Sequence, residues 1–279
     1  MTYEQLWHRL TPIYDAGEAK AIVRYMLEMQ FNLSLADILC GKVTELSADN
    51  QAELEKIMVR LEKAEPIQYV LGFAEFFGRQ FHVAPGVLIP RPETTELCGW
   101  VVSKAQHASQ LLDIGTGSGC IAITLAAELP QAQVSAWDIS DDALCIARDN
   151  AIRLGVNVAF GKHDILDTSI STSAQPLYDV IISNPPYIKP SERDVMANNV
   201  LDYEPNIALF APADNPIIFY QRIADFAWKH LRSGGYLFFE LNPLTAEAVG
   251  DYLHQLGFSD IEFRQDSYDK QRFLKATKI

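Results

Sequence analysis

Four consecutive residues, Asn184, Pro185, Pro186 and Tyr187, follow the run DVIISN, whose apolar character reads as a buried β-strand. The two prolines fix φ and remove two backbone donors, so carbonyls in this turn can be held ready for an incoming N–H. The Asn184 side-chain oxygen and the Pro185 carbonyl together can accept both hydrogens of a planar NH2 group, an amide or an aminopurine, while Tyr187 sandwiches its flat face. Such a nitrogen keeps its lone pair in conjugation and is a poor nucleophile until it is aimed at an electrophile. No strong general base is required, because the proton becomes acidic only as the N–C bond forms; positioning and fixed dipoles do most of the work. A Pro-rich turn capped by Asn is the plain alternative, and its weight falls once the upstream sequence is considered.

LLDIGTGSGCIAITLAAEL reads as a strand, a glycine loop and an apolar-faced helix. Gly115, Gly117 and Gly119 allow sharp turning and close backbone approach, and N–H groups at the helix start can face a carboxylate or phosphate. A dinucleotide fingerprint needs glycine where this chain has Cys120, which argues against nicotinamide. Asp113 instead leads a D-x-G-x-G-x-G pattern with Thr116 and Ser118 between the glycines, similar to the S-adenosylmethionine loop of class I methyltransferases. The next strand, QVSAWDI, ends in Asp138, 19 residues after Gly119, where a carboxylate can accept both ribose hydroxyls. Asp164 follows a third strand in a place suited to an exocyclic adenine amine, with Ile165 against the ring. Asp142, Asp149 and Asp167 have no such placement and read as surface.

These residues need a scaffold that brings strand ends together. The chain has 279 residues, 48% hydrophobic and 21% charged, with 15 Gly and 14 Pro, which fits one large or two unequal globular domains and excludes disordered, collagen-like and disulfide-stapled classes. From Leu97 onward LLDIG, QVSAWDI, NVAFGKHD, DVIISN and YLFFEL alternate with helical segments, which predicts an α/β fold with a mostly parallel sheet covered on both faces. IEFRQDSYDKQRFLKATK reads as a closing antiparallel hairpin. Phe238-Phe239-Glu240 reads as sheet core ending at a carboxylate on the site edge. Residues 1–70 are expected to form a small helical domain, with buried positions at Ala19-Ala21-Ile22-Tyr25-Met26-Met29 and Leu54-Ile57-Met58-Leu61, and with Ser47 capping and Pro66 closing the second segment. Residues 71–90 form a β-hairpin linker in which Phe73, Phe76, Phe77 and Phe81 pack, and residues 91–279 the catalytic domain.

A net charge of −13 disfavours stable binding to nucleic acid or anionic membrane. It is spread as 7 basic against 11 acidic residues up to residue 65 and 16 against 25 beyond, so neither part is a basic arm. No stretch approaches a membrane span, and MTYEQLWHRL lacks signal-peptide character. Cys40, Cys98, Cys120 and Cys145 form no CxxC pair, and the six histidines have no metal-ligand spacing, so no metal is expected and a reducing cytoplasm fits.

NPPY after a strand is specific for methylation of planar nitrogen, yet DNA adenine, rRNA and protein-glutamine methyltransferases share it. EPIQYVLG at 65–72, VLIPRPETTEL at 87–97 and YEPNIAL at 203–209, in this order around the two motifs, make nearly the whole chain resemble the peptide chain release factor glutamine-N5 methyltransferase family. The resemblance implies a Rossmann-like class I catalytic domain, an N-terminal helical domain that helps hold the release factor, and S-adenosylmethionine as methyl donor, leaving as S-adenosylhomocysteine. It implies a glutamine in the GGQ loop of class I release factors as acceptor. It further implies that Asn184, Pro185, Pro186 and Tyr187 form the glutamine pocket with Leu88 facing it. Asp113, Gly115, Thr116, Gly117, Ser118, Gly119, Asp138, Asp164, Ile165 and Asn184 surround the cofactor, and Thr94 touches it. Ile165 departs from the aromatic that some relatives carry, so apolar contact survives without stacking. Arg91 and Glu93 either serve the site or pair internally to close the linker over it.

Overall fold

The computed structural model describes residues 1–167 and 176–279. The chain divides into two compact units: Met1–Phe73 with Ala197–Tyr203, and Ala74–Met196 with Glu204–Ile279.

The first unit is helical: α1 (Tyr3–Leu10), α2 (Ala16–Phe31), α3 (Leu35–Leu39), α4 (Ala48–Leu61) and α5 (Ile67–Leu71). Its helices are capped by side chains that satisfy the first free amides: Asp15 accepts from Gly17 and Glu18, and Ser47 accepts from Asn50 as expected. Leu54, Ile57, Met58 and Leu61 are buried, but α2 is rotated from the expected face and buries Ala19, Val23, Met26 and Leu27 while Ala21 is exposed. Apolar residues cover most of α2's circumference, so its periodicity did not single out one stripe. Pro66 does not close α4, which ends at Leu61; it opens α5, where a missing amide costs no hydrogen bond. Residues 197–203 join this unit from far along the chain, and Tyr203 donates its hydroxyl to the Lys63 carbonyl at 2.7 Å.

In the second part β1 (Phe73–Phe76) and β2 (Arg79–His82) form the hairpin, with Phe76 and Phe81 edge-to-face at 5.9 Å. There follow α6 (Pro92–Lys104), β3 (Gln110–Ile114), α7 (Cys120–Glu128), β4 (Gln133–Asp138), α8 (Asp141–Leu154), β5 (Ala159–Lys162) and β6 (Tyr178–Ser183). Then come α9 (Asn198–Tyr203, part of the helical unit), α10 (Asn206–Leu209), α11 (Ile218–His230), β7 (Leu231–Glu240), α12 (Ala246–Leu256), β8 (Ser259–Gln265) and β9 (Gln271–Thr277). The sheet order is β5-β4-β3-β6-β7-β9-β8, parallel from β3 to β7 and antiparallel at β9.

Alternate residues of the central strands enter opposite cores. Leu111, Val180, Ile182 and Phe238 pack with α6 and α7, whereas Leu112, Ile181, Leu237 and Phe239 pack with α11 and α12. Burial on both faces accounts for the continuous apolar runs. The chain crosses to opposite sides of β3 when it builds β4 and β6, which opens a crevice at the carboxyl ends of β3, β4 and β6.

Candidate active site

Register aligns the motifs at that edge. Ile114 is level with Trp137 on β4 and with Ser183 on β6, so Gly115 and Asn184 follow the last residues of β3 and β6 and Asp138 is the last residue of β4. Ser183 donates its hydroxyl to the Ile114 carbonyl at 2.6 Å and ties the start of NPPY to the glycine loop. A cavity of ≈ 270 Å³ with mainly apolar walls opens there, and Leu88, Gly115, Gly117, Asp138, Asp164, Ile165, Asn184, Pro185 and Pro186 all line it. Size and lining suit a small organic ligand held by few polar groups.

Asp113, Thr116, Ser118 and Gly119 are not in the wall; they build the loop behind it. Thr116 donates to the fully buried Asp113 carboxylate at 2.6 Å, and burial pushes that carboxyl up to about 7. The Ala122 amide opposes that push, and Oδ1 has no hydrogen-bond partner among the described residues. Asn150 on α8 donates to the Ser118 and His82 carbonyls, both at 2.9 Å, which joins loop and hairpin. Gly119, at φ +82°, starts α7 where a Cβ would lie 2.8 Å from Ile123 Cδ1 and 3.3 Å from the Ala147 backbone of α8.

Four amides of the glycine loop are spent within the protein, while at the helix start the Ala122 amide faces the Asp113 carboxylate, one of the two anions the sequence suggested. Gly115 and Thr116 N–H both donate to the Trp137 carbonyl at 2.9 and 3.0 Å, Gly117 N–H donates to Asp138 at 2.8 Å, and Gly119 N–H to the Thr116 carbonyl at 2.8 Å. Donors spent within the protein cannot neutralise a phosphate. Asp138 also accepts from Ser140 N–H at 2.9 Å, and burial pushes its carboxyl above the usual value, opposed by the amides of Ser140, Gly117 and Ile139. Asp164 uses one oxygen on Leu166 N–H at 2.9 Å. The sequence pattern did not single out His163, which lines the cavity with its ring 4.2 Å from that of Trp137. Ile139, Leu166, Phe219 and Ile223 complete the apolar wall, and only their position after strand ends or on α11 signals it.

Tyr187 and Thr94 also stand outside the wall. The Tyr187 hydroxyl donates to Glu240 Oε1 at 3.0 Å, and Thr94 donates to Glu240 Oε2 at 2.6 Å. Asn184 Nδ2 donates to Thr94 Oγ1 at 3.2 Å. Burial pushes Glu240's carboxyl above its usual value, opposed by the two hydroxyls and the charge of Arg272. Arg91 does not pair with Glu93: its guanidinium bonds Glu204 Oε1 at 2.5 Å, and Glu204 Oε2 accepts from Ile89 N–H at 3.0 Å. Glu204, buried at 4% exposure, thereby pins the segment carrying Leu88, and its only sequence signal was its place in YEPNIAL. Among the described residues no group of three His, Cys, Asp or Glu side chains is arranged to hold a metal.

Two family models match, the PrmC N-terminal domain over residues 6–72 and the Methyltransferase small domain over residues 95–203. The release factor glutamine methyltransferase of Bacteroides thetaiotaomicron is 45% identical over 269 residues, covering 96% of this chain and 96% of its own. That of Flavobacterium psychrophilum is 36% identical, covering 98% and 96%. Among solved structures, a 16S rRNA N2 methyltransferase of T. thermophilus in complex with AdoMet and guanosine superposes with a TM-score of 0.53 at 19% identity, over 74% of this chain and 50% of that one. At that identity the likeness establishes the class I methyltransferase fold.

Proposed function

Since the chain belongs to the release factor glutamine methyltransferase family, we propose that it transfers a methyl group from S-adenosylmethionine to the side-chain N5 of the glutamine in the GGQ loop of class I release factors. The carrying observation is a single cavity lined by both Asp138 with Gly115 and Gly117 and by Asn184, Pro185 and Pro186. The residues fit the cofactor. Asp138 lines the cavity with a carboxylate that can accept from ribose hydroxyls, and Asp164 presents a carboxylate beside the apolar Ile165 and Leu166 for a purine. Gly115 and Gly117 keep open space where side chains would stand. The occupied loop amides and two wall carboxylates suit a ligand without phosphates. When bound, S-adenosylmethionine supplies an electrophilic sulfonium methyl and leaves as S-adenosylhomocysteine.

The chain's own residues then have to hold an amide. Asn184 Oδ1 and the Pro185 carbonyl accept its two hydrogens, fix its plane and exclude water that would compete for the same bonds. As the N–C bond forms the nitrogen becomes acidic, these two acceptors stabilise the developing positive charge, and one N–H proton is released to water to give the neutral N-methylamide. Tyr187, behind the wall, is fixed by its hydroxyl bond to Glu240 and so steadies the turn that carries Asn184 and Pro185. The helical unit, residues 1–70, supplies docking contacts for the intact factor, since a glutamine between glycines offers little surface of its own. Release factors place the reaction in the cytoplasm, and nucleic acid is not a stable partner.

The test is transfer of labelled methyl to purified release factor, ribosomal protein and RNA in parallel. Label is expected on the release factor, absent when the acceptor glutamine is replaced by alanine, and weak on a short GGQ peptide. Label on RNA with none on release factor refutes the reading.

A further inference from the structure

Three residues far apart in sequence, Thr94 at the start of α6, Asn184 after β6 and Glu240 at the end of β7, meet in one chain of hydrogen bonds. The direction of each bond follows from chemistry. An ionised carboxylate only accepts, so the Thr94 hydroxyl must spend its hydrogen on Glu240 Oε2 at 2.6 Å. Thr94 Oγ1 is then left with lone pairs alone and can face only a donor. The Asn184 amide has one donor end and one acceptor end of nearly equal size, and the bond at 3.2 Å must therefore come from Nδ2. That leaves Oδ1 as the end available to the cavity Asn184 lines. Reversal of the amide would put Nδ2 toward an incoming NH2 group, donor against donor.

Glu240 is built for this task. It is 1% exposed, and its second oxygen accepts the hydroxyl of Tyr187, three residues beyond Asn184. Both oxygens are thus occupied by hydroxyl hydrogens, and these with the charge of Arg272 oppose the upward push of burial on the carboxyl. Thr94 is 2% exposed, so water does not compete for the link.

We propose that Glu240 is a positioning residue for methyl transfer: acting through the Thr94 hydroxyl, it sets the amide orientation of Asn184 and so makes the pocket an acceptor of planar NH2 groups. Glu240 does not line the cavity, so its effect is on Asn184. The inference rests on the proposed acceptor being an amide nitrogen.

Glu240→Gln places a donor among donors and releases the constraint, and Thr94→Val removes the hydroxyl at nearly constant shape. Each is expected to lower kcat on intact release factor by about 10-fold or more, as loss of one preorganised polar contact does, with the dissociation constant for S-adenosylmethionine changed less than about 2-fold. Thr94→Ser, which restores the hydroxyl, is expected to keep kcat within a few-fold of wild type. Because the residues act in series, the double variant is expected to be no slower than the slower single one. Near-normal kcat in Thr94→Val, multiplying losses in the double variant, or losses confined to cofactor affinity overturn the proposal. Should Glu240→Gln not fold, the Thr94 pair decides the matter. Should wild-type protein transfer no methyl to release factor, the substrate reading fails separately. The relay is then tested on the side-chain NH2 resonance of Asn184, identified by its loss in Asn184→Ala: a shift in Thr94→Val supports the relay, and an unmoved resonance overturns it.

Discussion

Replacing Gly119 by alanine adds one methyl group where α7 starts against α8, and the structure separates its two costs. At φ +82° an L-residue sits in the left-handed region, which costs about 1–2 kcal/mol, partly offset by about 0.4–1 kcal/mol from a less flexible unfolded chain. The new Cβ also lies 2.8 Å from Ile123 Cδ1, 3.1 Å from Ala147 Cβ and 3.3 Å from Ala147 Cα. The isoleucine terminus can rotate away, but the α8 backbone can move only with its helix, so overpacking adds about 1–3 kcal/mol. Gly119→Ala is therefore expected to destabilise by about 2–4 kcal/mol. Gly115→Ala, at φ +77° with no protein atom within 4 Å of the new Cβ, incurs only the backbone part, about 1 kcal/mol or less. Cofactor binding reverses the order. Gly115 lines the cavity, so its methyl intrudes on the ligand's space, whereas Gly119 stands behind the wall. Urea unfolding and calorimetric titration with S-adenosylmethionine on both variants read the two effects. A Gly119→Ala protein as stable as Gly115→Ala would refute the assigned close approach of the two helices.

Asp138→Ala is expected to weaken S-adenosylmethionine binding by about 1–3 kcal/mol, because a charged acceptor is lost together with the anchor of the Gly117 and Ser140 amides; an unchanged dissociation constant in a folded variant removes Asp138 from the site. Asn184→Ala is expected to reduce turnover by roughly 10²-fold with cofactor affinity nearly intact, and normal turnover at saturating release factor would contradict its role. Asp113 gives a pH signature: its folded carboxyl is raised from the ordinary 3.8 to about 7, so the folded state holds the proton more tightly than the unfolded one, and stability falls as pH rises between these values. The neutral Asp113→Asn variant should show a flatter profile in that window, and equal slopes would exclude Asp113 as the source. Glu204→Ala leaves the Ile89 amide and the Arg91 guanidinium without their partner; with Arg91 partly open to water, the loss should be about 1–3 kcal/mol in unfolding free energy, less than for a fully buried pair, and an unchanged unfolding midpoint would show that Glu204 does not hold the segment.

How much was readable follows from range. The sheet was legible because strands buried on both faces carry unbroken apolar runs, as in Leu111-Leu112 and Val180-Ile181-Ile182, and because each helix between them reverses the chain. NPPY and Asp138 were legible as strand-end residues for the same reason. The orientation of α2 was not, since its apolar residues leave no unique stripe, and neither was the capture of 197–203 by the helical unit, which depends on contacts such as Tyr203 to Lys63. Within the site, Thr94 and Glu240 are 146 residues apart and meet only because α6 begins where β7 ends.

The glycine loop illustrates the limit most sharply. Its residue pattern is compatible with an anion site, because glycines before a helix expose amides in many folds. Which amides remain free is decided by the neighbouring strand. β4 ends level with β3 and delivers the Trp137 carbonyl to Gly115 and Thr116 and the Asp138 carboxylate to Gly117. The same register that places the Asp138 carboxylate at the cavity thus engages the amides of Gly115, Thr116 and Gly117 that a phosphate could otherwise use. On the proposed reading such a loop suits a ligand with hydroxyls and a positive sulfonium better than a pyrophosphate. That preference lies in the pairing of Ile114 with Trp137, a relation between two segments that neither contains alone.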